Sequence, residues 1–292
     1  MNIIVGATGQ IGSHILKELD KTGIPARAVI RDQRKLSDKN RDFREADLFN
    51  IEEVKRAFAG GETAFLLTPE DPGSHDPIGD AEKIVANYRT AILATGIQKI
   101  VGLSSIGAHL PGNTGNLAMS RILEQGFKDL PIATIFIRPS YYYSNWLAYI
   151  ETVQQYNILP TFFPAELTLD MNAPEDVANF IARVITGQVF TGIQEIFELT
   201  GPVKYSSSDV AKTLSNKLGK EIQPQPIAKE NWLETLLSAG FTKSAAYSLI
   251  EMTQAVVDGK ALPEVPAKVV KLSTKLQEYF EKQPGFAPSP AL

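Results

Sequence analysis

The chain begins with a short apolar segment, Asn2–Val5, that leads directly into a glycine-rich turn with the spacing Gly6-x-x-Gly9-x-x-Gly12. An apolar stripe at helical spacing follows, so a strand, a turn and a helix are predicted in that order. Gly6 allows a tight turn, Gly9 leaves space where a diphosphate approaches the backbone, and Gly12 lets the helix pack closely on the strand. Free N–H groups at the helix start would face the phosphates. The alternative is a tight turn that binds nothing. The residues predicted to contact a dinucleotide here are Gly6, Thr8, Gly9, Gln10, Ile11 and Gly12.

Strand-like and helix-like segments alternate along the following part of the chain. Six strand-like segments precede Arg138, and a further strand is predicted at residues 194–199, after a helical pattern that starts at Pro174. Such alternation is typical of a parallel sheet with helices on both faces, and ligands bind at the carboxyl ends of its strands. We therefore predict an α/β fold with a doubly wound, Rossmann-type parallel sheet.

Beyond Gly201 the apolar spacing becomes mainly helical. Ser206 and Asp209 have the separation of a helix capping pair. Further helices are predicted at residues 232–239, 245–257 and 268–280.

These patterns predict two parts of unequal size. The Rossmann domain is expected to contain residues 1–155 together with residues 168–200. A smaller, mainly helical ligand lobe is expected to contain residues 201–292 together with residues 156–167. Proline and glycine in residues 284–292 predict a loose tail.

Composition narrows the class of function. The 292 residues are 43% hydrophobic and 21% charged, as in an ordinary globular protein with a large core. A net charge of −4 gives no reason to expect nucleic acid, and the absence of cysteine excludes thiol catalysis, disulfides and cysteine-ligated metals. No residue cluster has metal-ligand spacing, and no apolar run is long enough to cross a membrane. Since the first strand starts at residue 2, no signal peptide is expected and a cytoplasmic location is predicted.

The choice of nucleotide is read at the end of the second strand, Ala26–Ile30. A basic residue there suits the 2′-phosphate of NADP, whereas an acidic residue suits the ribose hydroxyl of NAD. The strand is followed by Arg31 and, shortly after, by Lys35, whose cations match a doubly charged phosphate. Asp32, in contrast, could bind a ribose hydroxyl and so favours NAD. We therefore expect NADP(H), with NAD(H) as the less favoured cofactor.

Asp47 follows the third strand, at a position where adenine is often held in this type of fold. The same aspartate could instead cap the helix that begins near Asn50. Both interpretations remain open at the level of sequence.

Taken in order, five segments of the chain resemble the NmrA-like family of atypical short-chain dehydrogenases. The segments are residues 6–12 (GATGQIG), 29–32 (VIRD) with Lys35, 46–48 (ADL), 103–105 (LSS) and 137–140 (IRPS). The family includes bacterial NADPH-dependent quinone oxidoreductases and eukaryotic redox-sensing regulators. The resemblance covers roughly the first half of the chain, whereas the helical C-terminal part is similar in layout only.

The resemblance also implies roles for individual residues. Arg31 and Lys35 would hold the 2′-phosphate of the cofactor. The strand end at Leu67 and Thr68 would flank the adenosine. Ser104 and Pro139 would border the nicotinamide. The residues in this implied cofactor set are Arg31, Lys35, Leu67, Thr68, Ser104 and Pro139, and Asp47 is added to them from its position after the third strand.

No catalytic residue can be assigned from the sequence. Ordinary short-chain dehydrogenases use Tyr-x-x-x-Lys, in which tyrosine donates a proton and lysine lowers its pKa. None of the nine tyrosines has lysine at that spacing. Where members of the family often carry tyrosine or histidine, this chain has Asn116, which cannot deliver a proton. His109 and Arg121 are the weak candidates that remain, and a quinone can also take its proton from water.

An aromatic run, residues 141–146 (YYYSNW), follows the sixth strand directly. That position places aromatic rings beside the nicotinamide, and flat rings suit a flat acceptor. The alternative is that they are core contacts of a continuing helix, although three successive tyrosines cannot all face one core on a helix. The predicted substrate-contacting residues are Tyr141, Tyr142, Tyr143 and Asn145.

The sequence therefore predicts a reductase that passes hydride from NADPH to a small flat acceptor, such as a quinone or an aryl carbonyl, bound between the two lobes. The alternative is a non-catalytic NAD(P)(H) sensor that acts through a protein partner, which the missing Tyr/Lys pair favours. A nucleotide-sugar epimerase is a weaker possibility, because it normally needs the same pair. The acceptor itself cannot be named from the sequence.

Overall fold

An eight-stranded, entirely parallel sheet forms the centre of the computed structural model, which describes residues 1–36, 38, 40–189 and 192–283. The predicted loose tail lies outside these residues. The strands are β1 (Asn2–Val5), β2 (Ala26–Ile30), β3 (Phe43–Glu45), β4 (Thr63–Leu67), β5 (Lys99–Leu103), β6 (Ala133–Pro139), β7 (Tyr141–Tyr142), β8 (Ile158–Thr161), β9 (Leu169–Asn172), β10 (Gln194–Thr200), β11 (Lys204–Tyr205), β12 (Gln223–Pro226) and β13 (Val270–Lys271).

The order of strands in the large sheet is β13-β10-β6-β5-β4-β1-β2-β3. From β1 the chain first crosses to β2 and β3 on one side, and then to β4 and β5 on the other. Since all eight strands run the same way, their carboxyl ends meet at one edge, and the crevice at the reversal beside β1 is where such folds bind ligands. The predicted doubly wound α/β sheet is confirmed.

Helices cover the sheet on both faces. The helices are α1 (Gln10–Lys21), α2 (Ile51–Phe58), α3 (Pro77–Thr95), α4 (Asn116–Gln125), α5 (Ile150–Tyr156), α6 (Pro174–Ile185), α7 (Ser207–Leu218), α8 (Trp232–Ser238), α9 (Lys243–Val257) and α10 (Leu276–Glu281). Helices α1 and α6 pack on one face, and α2, α3 and α4 pack on the other. Side chains alternate accordingly along the central strand, where Ile4 faces α1 and its neighbours Ile3 and Val5 face the opposite layer. Within the described part of the chain, no helix combines the length and the hydropathy needed to cross a bilayer.

The C-terminal part builds a second, smaller core. Its apolar cluster contains Tyr143, Trp146 and Met171 together with side chains of α7 and α10. Two small sheets border this core, β11-β9-β7 and β12-β8. Ser206 and Asp209 form the predicted capping box at the start of α7, and the predicted mainly helical character of this region is confirmed.

The helix predicted at residues 268–280 is confirmed only in its last part, which lies within α10, and is wrong before it. The structure has there the short strand β13, which pairs with the edge of β10. Leu272 N also donates to Thr200 O at 2.7 Å. The apolar spacing suited a helix. Without β13, however, the backbone N–H and C=O groups along the outer edge of β10 would lack hydrogen-bond partners, and pairing with β13 supplies them. A piece of the predicted ligand lobe is therefore part of the larger sheet.

A buried ion cluster lies on the α4 face, near the carboxyl ends of β5, β6 and β10. Arg138 donates from Nε and Nη2 to the two carboxylate oxygens of Glu124, both at 2.8 Å, and from Nη1 to Glu264 at 2.6 Å. Glu198 accepts two backbone N–H groups, from Glu264 at 2.8 Å and from Val265 at 3.1 Å. These contacts fix α4 and the segment before β13 against the sheet.

Replacing this cation should destabilise the fold strongly. In Arg138→Met, Glu124 and Glu198 stay buried without a compensating charge, so we expect a loss of about 3–5 kcal/mol in unfolding free energy. In the unmodified protein, the hydrogen bond from Arg138 lowers the pKa of Glu264. This contribution to stability is present above the pKa of an unfolded glutamate and is lost as the pH falls, so the deficit relative to the unmodified protein should be large at about pH 8 and smaller at about pH 3.

Denaturant unfolding at both pH values measures this difference. Arg56→Met, at an exposed position on α2, is the matched control and should change stability little. An equal loss for Arg138→Met at both pH values would show that uncompensated charge is not the cause.

Candidate active site

The glycine-rich turn has the geometry of a tight phosphate loop. Gly6 has a φ of +65°, which favours glycine, and its carbonyl oxygen accepts the N–H of Gly9 at 2.9 Å. A Cβ at Gly12 would lie 2.4 Å from Gly6 O, so helix α1 approaches the turn too closely for any other residue. A Cβ at Gly9 would lie 3.2 Å from the same oxygen, and its φ of −79° suits ordinary residues. Gly12 is therefore needed for packing, whereas Gly9 leaves open surface.

The start of α1 offers free backbone donors. Gly9 is the N-cap, and no side chain caps the helix. The first bond of the ladder runs from Ser13 N to Gly9 O at 2.9 Å, so the amides of Gln10, Ile11 and Gly12 precede it. Thr8, Gly9 and Gln10 are exposed, and the first turn carries no acidic residue. This arrangement suits an anion such as a diphosphate.

The charged side chains after β2 differ in whether they already have a partner within the protein. Asp32 accepts the backbone N–H of Arg34 at 3.0 Å and pairs with its guanidinium at 2.9 Å, and these hydrogen bonds lower the pKa of Asp32 to about 2. Its oxygens are thus already engaged within the loop. Arg31 and Lys35 are exposed, and no described residue makes a hydrogen bond or ion pair with either side chain. The two cations predicted for a 2′-phosphate are the ones left available.

Asp47 does not cap α2. The N-cap is Asn50, whose side chain accepts the N–H groups of Glu52 and Glu53. Asp47 is exposed, and its carboxylate accepts the N–H of Phe49 at 3.0 Å within its own turn. The capping alternative is therefore wrong, and contact with adenine stays a prediction.

The strand ends implied to border the cofactor differ in what they expose. Leu67 and Thr68 are half-buried at the end of β4. Pro139 is buried at the end of β6. The hydroxyl of Ser104 donates to Glu124 at 2.5 Å in the ion cluster, so this side chain is turned into the interior.

The three successive tyrosines lie on two sides of the chain, because Tyr141 and Tyr142 form strand β7 and not a helix. Tyr143 is fully buried among Tyr205 and Tyr279 and donates to Thr274 O at 3.2 Å. The structure therefore removes it from the predicted cleft lining: Tyr143 follows β7 at the start of a 3₁₀ helix, and its ring enters the second core.

The other predicted cleft residues keep some exposure. Tyr141 packs edge-on against Phe163, with ring centroids 5.4 Å apart, and Asn145 next to it is exposed. Tyr142 faces the opposite side, and its hydroxyl is buried without a hydrogen-bond partner among the described residues. Burial raises the pKa of Tyr142, and the negative charge of Glu70 raises it further.

Glu70 is a residue of this region that the sequence reasoning did not select. It lies just beyond the end of β4, and Asn116 at the start of α4 donates to its Oε2 at 2.8 Å. Ser248, from α9 of the second lobe, donates to Asn116 at 2.6 Å. Glu70, Asn116 and Ser248 thus lie where the two lobes meet. An acidic residue directly after the Leu67–Thr68 strand end was the signal available in the sequence.

The two weak catalytic candidates have different surroundings. The guanidinium of Arg121 donates to the carbonyl oxygens of Leu110 and Gly112 and so holds the loop before α4. The Nδ1 atom of His109 is buried without a partner among the described residues. A role of either residue in proton transfer stays a prediction.

The profile of the NmrA-like family matches residues 2–280. The chain belongs to the NmrA-like family. Its relatives include the NAD(P)H azoreductase of Xenophilus azovorans, which is 24% identical over 258 residues, 86% of each chain.

Two solved structures show the same fold. The NADPH complex of quinone oxidoreductase QOR2 from Escherichia coli has a TM-score of 0.79 at 22% identity, covering 96% of this chain and 99% of that one. NmrA, a negative transcriptional regulator solved with NADP, has a TM-score of 0.68 at 18% identity, covering 96% and 90%. The same fold thus occurs in a protein described as a quinone oxidoreductase and in one described as a transcriptional regulator.

The two glycines of the turn should separate binding from stability. Gly9→Val places a branched side chain over the free amides, so NADPH binding should be lost while the melting temperature changes little. Gly12→Ala forces a Cβ against Gly6 O and should lower the melting temperature clearly. Calorimetric titration and thermal unfolding of both variants measure this. Unchanged NADPH affinity in Gly9→Val would remove the turn from the cofactor site.

Proposed function

We propose that this member of the NmrA-like family is an NADP(H)-dependent oxidoreductase that transfers hydride to a small flat acceptor, such as a quinone or an aryl carbonyl. The observation that carries the proposal is the combination of a helix start without a side-chain cap and two cations after β2, Arg31 and Lys35, that have no hydrogen-bond or ion-pair partner among the described residues. When bound, NADPH supplies the hydride. The azoreductase and quinone oxidoreductase activities of similar proteins support the choice of reaction.

The basic loop after β2 favours NADP(H) over NAD(H). Arg31 and Lys35 would meet the 2′-phosphate, and Asp32 does not compete for a ribose hydroxyl while Arg34 holds both of its oxygens. A charge-assisted hydrogen bond is worth about 1.5–3 kcal/mol, so each cation adds roughly a tenfold to hundredfold preference.

The rest of the cofactor would follow the carboxyl edge of the sheet. The diphosphate would lie on the amides after Gly9, and Asp47, Leu67 and Thr68 would border the adenosine. Ser104 and Pro139 would border the nicotinamide, with the side chain of Ser104 turned away from it.

The acceptor would occupy the junction between the lobes. Three of the predicted contacts remain suitable: Tyr141 and Tyr142 are half-buried and Asn145 is exposed. The Tyr142 hydroxyl also has no hydrogen-bond partner among the described residues. Half-buried aromatic rings suit a flat acceptor, because stacking between rings is favourable when both partners are planar.

A second candidate is a non-catalytic NAD(P)(H) sensor. The missing Tyr-x-x-x-Lys pair favours it, and so does the structural similarity to the regulator NmrA. Such a sensor would bind the cofactor and change its affinity for a protein partner, but would not oxidise NADPH in the presence of any acceptor.

One experiment separates the two functions. NADPH oxidation is followed with a panel of quinones, aryl carbonyls and azo dyes, while the dissociation constants of NADPH and NADP⁺ are measured directly. The reductase predicts turnover with at least one class of acceptor. NADPH binding without any turnover would favour the sensor, and absence of NADPH binding would contradict both.

Arg31→Ala tests the nucleotide preference. We expect NADPH to bind about tenfold to hundredfold more weakly, because one charge-assisted contact is lost. NADH affinity should hardly change, since NADH lacks the phosphate. Arg183→Ala, an exposed arginine on α6, is the control and should leave both affinities unchanged.

Asp32→Ala should leave NADPH binding intact or improve it, because it releases Arg34 from its carboxylate partner. The measurement is a pair of dissociation constants for each variant. Equal weakening of both nucleotides by Arg31→Ala, or a preference of the unmodified protein for NADH, would show that this loop does not read the phosphate.

A further inference from the structure

The loop that carries Glu70 is held in place by the second lobe. It connects β4 to α3, and Thr242, just before α9, donates from its backbone N–H to Pro72 O at 2.9 Å and from its hydroxyl to Ser74 O. Asp76 then caps α3. Contacts at both ends of the segment therefore fix the position of Glu70 beside the carboxyl edge of the sheet.

Hydrogen bonds orient the Glu70 carboxyl group. Its Oε2 accepts from Asn116, and the carbonyl oxygen of that amide accepts from the buried hydroxyl of Ser248. Helix α9 contacts the turn before α4 so closely that a Cβ at Gly115 would lie 1.8 Å from Ser248 O. The amide of Asn116 is thus held from both sides, and it holds one oxygen of Glu70.

The other carboxyl oxygen is available. Glu70 Oε1 has no hydrogen-bond partner among the described residues, and the side chain reaches solvent. Protein nevertheless surrounds the group closely enough that desolvation raises the pKa of Glu70, and the hydrogen bond from Asn116 offsets this only in part. Of the neighbouring elements, α4 and α9 present the uncharged Asn116 and Ser248, and β7 presents Tyr142, whose pKa is also raised and which stays neutral.

We propose that Glu70 is the proton donor to the acceptor, with Asn116 and Ser248 as the residues that position its carboxyl group. This rests on the proposed reductase function. NADPH, when bound, would supply the hydride by giving up a C–H bond of its dihydronicotinamide ring. The acceptor carbon would gain that C–H bond and its two electrons, its carbonyl π bond would break, and its oxygen would become an oxyanion. The O–H bond of the Glu70 carboxyl breaks, an O–H bond forms on the acceptor, and the Glu70 carboxylate then regains a proton from water.

The geometry favours Glu70 over the other groups of the region. The Tyr142 hydroxyl is buried, and no described residue makes a hydrogen bond with it that would resupply a proton after transfer. Arg121 is engaged with two carbonyl oxygens. Asn116 has no transferable proton at neutral pH. Glu70 alone among these combines an acidic proton, an open oxygen and access to solvent.

The first test compares Glu70→Gln with the unmodified protein, using NADPH and an aryl carbonyl. A general acid contributes about 100-fold or more, so kcat should fall by at least about 100-fold while the NADPH dissociation constant stays unchanged. The rate of the unmodified protein should decline as pH rises through the pKa of Glu70, because only the protonated form donates. Glu70→Gln should lose this pH dependence.

Matched variants identify the group that titrates. Glu251→Gln makes the same change on α9, where Glu251 also contacts an asparagine, Asn113, and it should retain the rate and the pH profile. Asn116→Leu removes the donor that stabilises the carboxylate, so the alkaline decline should move to higher pH. If Tyr142→Phe, and not Glu70→Gln, abolishes the decline, Tyr142 is the donor and the proposal is overturned.

A measurement on the protein without cofactor is independent of turnover. Infrared difference spectra of the unmodified protein against Glu70→Gln should show a protonated-carboxyl band that disappears on raising the pH, at a midpoint above that of a free glutamate. A band with an ordinary glutamate midpoint would overturn the proposal.

The outcomes also distinguish a failure of the reductase function from a failure of the role of Glu70. If the unmodified protein reduces acceptors and Glu70→Gln does so equally well with the same pH profile, the reductase stands and the role of Glu70 is wrong. If the unmodified protein binds NADPH but reduces no acceptor, the reductase function fails and the role of Glu70 fails with it.

Discussion

Arg138 is the charge on which the carboxyl edge of the sheet depends. Its guanidinium contacts carboxylates from α4, from β10 and from the segment before β13, so one side chain joins parts of the chain that are distant in sequence. Carboxylates in a dry interior are tolerated only when a cation and hydrogen bonds compensate them. The cluster therefore fixes α4 relative to the sheet, and α4 in turn carries Asn116 to the junction of the lobes.

Close backbone packing joins the second lobe to this edge. Helix α9 contacts the turn at Gly115, whose φ of +56° and lack of Cβ allow the approach, and Thr242 holds the loop after β4. The proposed acceptor site is thus assembled by both lobes. The carboxyl edge of the sheet would bind the cofactor. Helix α9 supplies Ser248, which holds the Asn116 amide that orients Glu70.

Local spacing made much of the fold predictable. Three signals depend only on neighbours in the sequence: the turn from Gly6 to Gly12, the basic residues after β2, and the alternation of strands and helices. They predicted the sheet and the phosphate loop. The first part of the helix predicted at residues 268–280 was wrong because the open edge of β10, distant in sequence, favoured a strand there. The burial of Tyr143 was missed because the second core that surrounds it is built from segments distant in sequence.

Residues close together in the chain were enough to indicate the family, the parallel sheet and the helix start that suits a diphosphate. Tertiary contacts were needed to show which polar groups are already engaged. The tertiary structure paired Asp32 with Arg34, turned Ser104 toward Glu124 and brought Glu70 to Asn116, 46 residues away, and Asn116 to Ser248, 132 residues away. Contacts between distant elements depend on how whole layers pack, and no local pattern of residues encodes them.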